Sequence, residues 1–200
     1  PEQLRAAFAH MATPKIVAKA ARLRPADAAT PLGAAKLALR TLARRWQALS
    51  CEIDELDTHL QALTQQVAPS LIDLNGVGTQ TAATLLVAAG DNPNRLHHEA
   101  SYAALCGTSP IDESSGRQQR HRLNRGGNRL ANCALYIIVI SRLRWDPATQ
   151  AYMARRLAQG RTRKEVIRCL KRYTARQVHR AITRDLTPQP PMPQPLKPAA

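Results

Sequence analysis

The sequence predicts an all-α protein in which a long coiled-coil helix leads into a compact helical domain. Three observations predict it. Hydrophobic residues make up 44% of the 200 residues but aromatics only 4%, so a core must come from Leu, Ala, Val and Ile. Ala, Leu and Arg, all strong helix formers, recur throughout. Between residues 34 and 68 the apolar positions follow an unbroken three-four spacing, the signature of a heptad seam.

Residues 1–33 are weakly patterned. Pro14, Pro25 and Pro31 break any long helix, and the segment reads as short helical pieces and a linker or remnant. The opening at Pro1, without an initiator Met or a signal-like apolar core, reads as a fragment or a truncated reading frame. The seam of residues 34–69 then runs through Leu39, Leu42, Trp46, Leu49, Ile53, Leu56, Leu60, Leu63 and Val67. Arg44, Arg45, Glu52, Asp54, Glu55 and Asp57 lie off it. A coiled coil joining protomers is the reading favoured over a helix packed on its own domain, with Trp46 marking a local break.

Pro69 ends that helix and opens a domain over residues 70–184. A short apolar helix leads into Asn75-Gly76-Val77-Gly78, and a second helix runs from Thr79 to Ala89, closed by Gly90. Residues 99–105 form another helix, and residues 107–128 are polar and irregular. Leu130 to Leu143 has the character of a buried helix. Asp146-Pro147 is an N-cap followed by Pro at the first helical position, and Gly160 closes that helix. Thr162 and Glu165 stand at capping-box spacing and open a last basic helix to Thr183. Residues 185–200 are rich in Pro and read as a disordered tail.

A formal net charge of +15 and a pI near 10.8 attract polyanions, nucleic acid first and an anionic membrane surface second. No apolar run approaches membrane-span length. Cys51, Cys106, Cys133 and Cys169 form no C-x-x-C pair, so they read as buried reduced thiols rather than zinc ligands or disulfides. His97 and His98 read as surface residues.

Two segments carry candidate chemistry. The Gly76–Gly78 turn resembles the hairpin of a helix-hairpin-helix module. Glycines admit close backbone approach, unsatisfied N–H groups at the next helix start favour an anion, and Thr79 adds a hydroxyl. A DNA phosphate suits it; a plain tight turn is the alternative. The second segment runs from Pro110 to Asn128, where Ser114-Ser115-Gly116 is surrounded by Arg117, Arg120, His121, Arg122 and Arg125. Guanidinium groups clamp phosphate, and a serine beside such a clamp can attack a phosphodiester. The same string also reads as a flexible basic loop. In the last helix Lys164, Arg168, Lys171 and Arg172 belong to a one-sided excess of charge that suits phosphate contact, RNA or DNA.

Leu105-Cys106-Gly107-Thr108-Ser109-Pro110, Ser114-Ser115-Gly116 and His121-Arg122-Leu123-Asn124-Arg125-Gly126-Gly127-Asn128, with Arg161–Glu165 and Cys169–Tyr173 after them, resemble the C-terminal serine domain of the insertion-sequence family 110 type DEDD transposases. The resemblance covers roughly residues 70–183, and the heptad helix matches the family's linking coiled coil. It implies a recombinase guided by a structured RNA, with a serine nucleophile that becomes covalently linked to DNA. It implies Ser114 as that nucleophile, because members replace the second serine by Ala, with Ser115 the alternative. Arg120, Arg122, Arg125 and Asn128 would hold the scissile phosphate or its neighbours. No cofactor is expected in this chain; Mg²⁺ belongs to a RuvC-like domain that the sequence does not contain, so the chain alone should not cleave DNA. DNA, a guide RNA and a second copy through the coiled coil are the expected partners, with no membrane, in the bacterial cytoplasm at the nucleoid. The alternatives are a non-catalytic helix-hairpin-helix binding module, a truncated transposase remnant, or a coiled-coil assembly protein.

Overall fold

The computed structural model describes residues 1–90, 98–113 and 121–186. Its described residues form nine helices and one two-stranded ladder, which makes the fold all-α. Chain contacts divide into two units, Pro1–His59 and Leu60–Ala200.

In the first unit, α1 (Glu2–Phe8) and α2 (Thr13–Ala21) precede the long α3 (Pro31–Val67), whose last residues, from Leu60 on, belong to the second unit. Pro14 starts α2 instead of interrupting it, because a helix's first turn needs no N–H from that residue. Lys19 Nζ donates to the Ala7 carbonyl at 2.6 Å and lies 5.4 Å from the centre of the Phe8 ring. Asp27 and Thr30 prepare the start of α3. The Thr30 hydroxyl donates to the Asp27 carbonyl and accepts from Gly33 N–H at 3.1 Å.

Helix α3 is continuous through Trp46, so the expected local break is absent. Most of its seam faces solvent: Leu42 is 65% exposed and Leu56 67%, and Trp46, Leu49, Ile53, Leu63 and Val67 are exposed as well. Leu39 and Leu60 of the seam are half-buried.

The second unit contains α4 (Pro69–Ile72), α5 (Thr79–Ala89), α6 (Glu99–Leu105), β1 (Ile111–Asp112), β2 (His121–Arg122), α7 (Arg129–Trp145), α8 (Pro147–Ala158) and α9 (Arg163–Leu186). Its core is assembled around α7 and α9. Leu135 and Ile138 of α7 meet Val178 and Ile182 of α9, Leu85 of α5 and Tyr102 of α6, all fully buried. Small residues at Ala82, Ala131, Ala134 and Ala175 let helix backbones approach closely where aromatics are scarce. A second cluster of Val139, Met153, Val166 and Leu170 seats α8 on α7 and α9.

Helix ends follow the expected chemistry. The Asp146 carboxylate accepts from Thr149 N–H at 3.0 Å ahead of Pro147. Thr162 N–H donates to Glu165 Oε2 at 2.8 Å, and Glu165 N–H donates back to the Thr162 hydroxyl at 3.3 Å. Gly160 takes a positive φ of 79° after α8. Residues 107–128 differ from expectation by containing the antiparallel pairs Ile111–Arg122 and Asp112–His121. Two pairs are too few to leave an alternating pattern in sequence.

Two of the four thiols depart from the expected burial. Cys106 is buried and Cys169 half-buried, but Cys51 and Cys133 are exposed, because they stand on outward faces of α3 and α7. His98 is exposed, as expected; His97 lies outside the described residues.

Candidate nucleic-acid interface

The turn after α6 is fixed by backbone crossing. Gly107 has φ +63°, and a Cβ there would stand 2.4 Å from the Gly126 carbonyl oxygen. Gly127 has φ +84°, and a Cβ there would stand 2.6 Å from both Gly107 N and Leu105 O. Only glycine fits such an approach. Asn128 N–H donates to the Leu105 carbonyl at 2.6 Å and completes the crossing.

Asn132, one turn into α7, donates its amide to the carbonyls of Cys106 at 2.7 Å and Gly107 at 3.2 Å. Its oxygen accepts from Lys171 Nζ at 2.7 Å. Lys171 is only 7% exposed. Burial holds its ammonium below the ordinary lysine value, and the Arg168 charge acts in the same direction. The chain Lys171–Asn132–Gly107 thereby clamps the turn to α9.

This turn, β2, α8 and the start of α9 enclose a cavity of about 420 Å³. Gly107, Thr108, Ser109 and Pro110 form one wall and His121–Asn124 another. Seven cationic side chains line it: Arg122 from β2, Arg156 from α8, and Arg161, Arg168, Lys171, Arg172 and Arg176 from α9 and the residues before it.

Among the described residues Glu165 is the only acid in the lining. Its carboxyl is held below the usual range by the Thr162 backbone N–H and then by the Thr162 hydroxyl. Glu99 pairs with Arg172 and lies 2.6 Å from Arg176 Nε. Among the described residues no carboxylate forms an ion pair with Arg122, Arg161 or Arg168. A local surplus of cations is therefore gathered in one concave place.

The sequence-selected residues separate into five groups. Arg122, Arg168, Lys171 and Arg172 come together in the cavity lining. Arg125 and Lys164 are exposed but do not line it. Gly76, Gly78 and Thr79 belong to a different region, at the start of α5, where Arg142 Nε donates to the Asn75 carbonyl at 2.6 Å. The Asn128 Oδ1 is engaged as the N-cap of α7, accepting from Leu130 N–H at 2.9 Å and Ala131 N–H at 3.1 Å. Ser114, Ser115, Arg117 and Arg120 lie outside the described residues; Glu113 and His121 flank their segment.

Sequence reasoning did not single out Arg156, and it took Thr108 and Ser109 only as part of a run that carries the family resemblance. Arg156 reaches the cavity only because Met153 anchors α8 against Val166 and Leu170, a packing relation without a local sequence signal.

Gly76 and Gly78 have unlike reasons. Gly76 has φ +76°, with Arg142 Cγ 3.1 Å from a would-be Cβ. Gly78 has ordinary backbone angles and open space where a Cβ would be. Its N–H donates to the Thr81 hydroxyl at 3.0 Å, and that hydroxyl donates to the Gly78 carbonyl at 2.8 Å.

Among the described residues no helix is long and apolar enough to cross a membrane, and no group of three His, Cys, Asp or Glu side chains could hold a metal ion.

A protein of Streptomyces coelicolor (strain ATCC BAA-471 / A3(2) / M145), the insertion element IS110 uncharacterized 43.6 kDa protein, is 34% identical over 122 residues. The alignment covers 58% of this chain and 29% of that protein, so the chain spans less than a third of the relative's length. The family model described as transposase IS116/IS110/IS902 family matches residues 68–154. That stretch takes in the Gly76 turn, the Gly107 crossing, both strands, all of α7 and most of α8. Over those residues the chain is similar to the IS116/IS110/IS902 transposases.

Proposed function

We propose that this chain belongs to the insertion-sequence family 110 transposases and acts in DNA transposition as the serine-bearing domain. The observation that carries the reading is the place of β1 and β2. They flank the segment holding Ser114 and Ser115, and β2 itself lines a cavity in which cations outnumber acids seven to one. In this reading the Ser114 hydroxyl, or that of Ser115, attacks a phosphodiester. A Ser O–P bond forms, one bridging P–O bond breaks, and the hydroxyl proton passes to the leaving oxygen. Arginine side chains facing the phosphate stabilise the charge that develops on its oxygens. Arg117, Arg120, Arg122 and Arg125 are the residues assigned to that task.

Mg²⁺ is assigned to a RuvC-like domain and not to this chain. The open space at Gly78 supports backbone approach by a DNA phosphate to the start of α5, in the manner of a helix-hairpin-helix. The exposed seam of α3 supports pairing with a second copy. A guide RNA and placement at the bacterial nucleoid follow from the same reading.

Trapping a covalent protein–DNA adduct tests it. The assay uses a chimera in which this chain's residues replace the matching 122 residues of the Streptomyces coelicolor protein. Ser114→Ala should abolish the adduct and Ser115→Ala should leave it; the reverse outcome assigns the alternative serine. Adduct retained in both variants defeats the nucleophile assignment. A non-catalytic nucleic-acid-binding module is the reading that then remains.

A further inference from the structure

Charge is not the only chemistry in the cavity beside β2. The ring of Tyr173 is part of its lining and is 48% exposed. Tyr152 meets it edge-on, with ring centres 5.8 Å apart and planes at 85°. A half-open aromatic surface on a cationic wall offers a stacking platform beside phosphate-binding groups, the pairing used for single strands.

A second observation points the same way. Arg156 Nε is buried without a hydrogen-bond acceptor among the described residues, although another nitrogen of the same guanidinium donates to Gln159 Oε1 at 2.8 Å. A buried donor left unpaired carries its full desolvation penalty. Arg156 lines the cavity, so turning its guanidinium toward a phosphate drawn in by Arg122, Arg161 and Arg168 would give that donor an acceptor.

Size and shape decide the strand state. About 420 Å³ lies within the roughly 300–1,000 Å³ range of small-molecule sites. A duplex presents base edges in its grooves and keeps its base faces stacked. Only an unstacked nucleotide can place a base face on an aromatic ring.

We propose that this cavity takes one unstacked nucleotide of a single strand, its base against Tyr173 and its phosphate held by Arg122, Arg161 and Arg168, with Arg156 turning to donate to it. The proposal rests on the nucleic-acid reading above and adds the strand state and the base contact.

The test measures binding of the full chain to a ten-nucleotide single strand, as DNA and as RNA, and to the duplex of the same sequence. Tyr173→Ala should weaken single-strand binding about tenfold, the order expected for one lost base stack, and change duplex binding less than twofold. Its salt dependence should be unchanged, since no phosphate contact is removed. Tyr173→Phe should bind as the unaltered chain does. If Tyr173→Ala does not fold, Tyr173→Leu, which keeps apolar contact with Tyr152 but lacks a π face, carries the same expectation. A Tyr173 effect in only one of the DNA and RNA arms supports the site and names its strand. Equal weakening of single strand and duplex, or no weakening in either, overturns the proposal and leaves the transposition reading standing. No binding to any of these nucleic acids at low salt overturns both.

Discussion

At Gly127 a methyl group would meet three backbone atoms within 2.8 Å, and the backbone is left-handed. Gly127→Ala should therefore lower stability by on the order of 1–3 kcal/mol, read as a shift in the urea midpoint. Gly78→Ala, where a Cβ meets nothing, should leave that midpoint nearly unchanged. An equal loss in both would mean that the crossing of Gly107 and Gly127 is not what fixes the turn. From sequence, Arg125-Gly126-Gly127-Asn128 reads as part of a phosphate-holding loop. In the structure the glycines serve a chain crossing and the Asn128 oxygen caps α7. A crossing partner about twenty residues away leaves no local signal, so that distinction was not legible beforehand. Lys171 gives a second prediction at this scale. Burial lowers its ammonium pKa below the ordinary lysine value of 10.5, so the folded chain releases this proton at lower pH than the unfolded chain. The unfolded state then binds more protons in the window just below 10.5, and stability contributed by this group rises with pH there. Urea midpoints in that window should show a rising contribution in the unaltered chain relative to Lys171→Met. A difference that stays flat through the window would contradict it.

Helix α3 was the most legible element, because heptad spacing is a property of the chain alone. Its continuity through Trp46 was not legible: a bulky aromatic is compatible with a helix whose seam is open to solvent. Leu49→Lys together with Leu56→Lys should lower the sedimentation-derived mass of the chain if the seam joins copies. An unchanged mass at the same concentration would remove the coiled-coil assembly. The caps at Asp146, Thr162 and Gly160 were also legible, since each depends on residues within a few positions of one another. The β1–β2 ladder and the approach of α8 to the cavity were not, because both are set by tertiary packing. The serine segment is where sequence carries most of the argument: the structure describes its flanks, and the assignment of Ser114 rests on resemblance.

Over the whole chain, a formal net charge of +15 announced a polyanion partner but not where it binds. The fold brings residues 107–110, 121–124 and 156 and nine residues between Arg161 and Arg176 around one cavity, the place proposed for that partner. Charge elsewhere raises the general field. Excess charge and a built site therefore make different predictions about which cations matter. The most direct measurement compares two charge-matched triple variants in single-strand binding as salt is raised. One replaces Arg122, Arg161 and Arg168 of the cavity with Ala; the other replaces the exposed Lys15, Arg22 and Arg24 of the first unit. The cavity variant should lose about 0.7 in the slope of log K against log salt for each contact removed, while the other stays close to the unaltered chain. Equal losses in the two variants would show that net charge alone attracts nucleic acid and that the cavity is not its site.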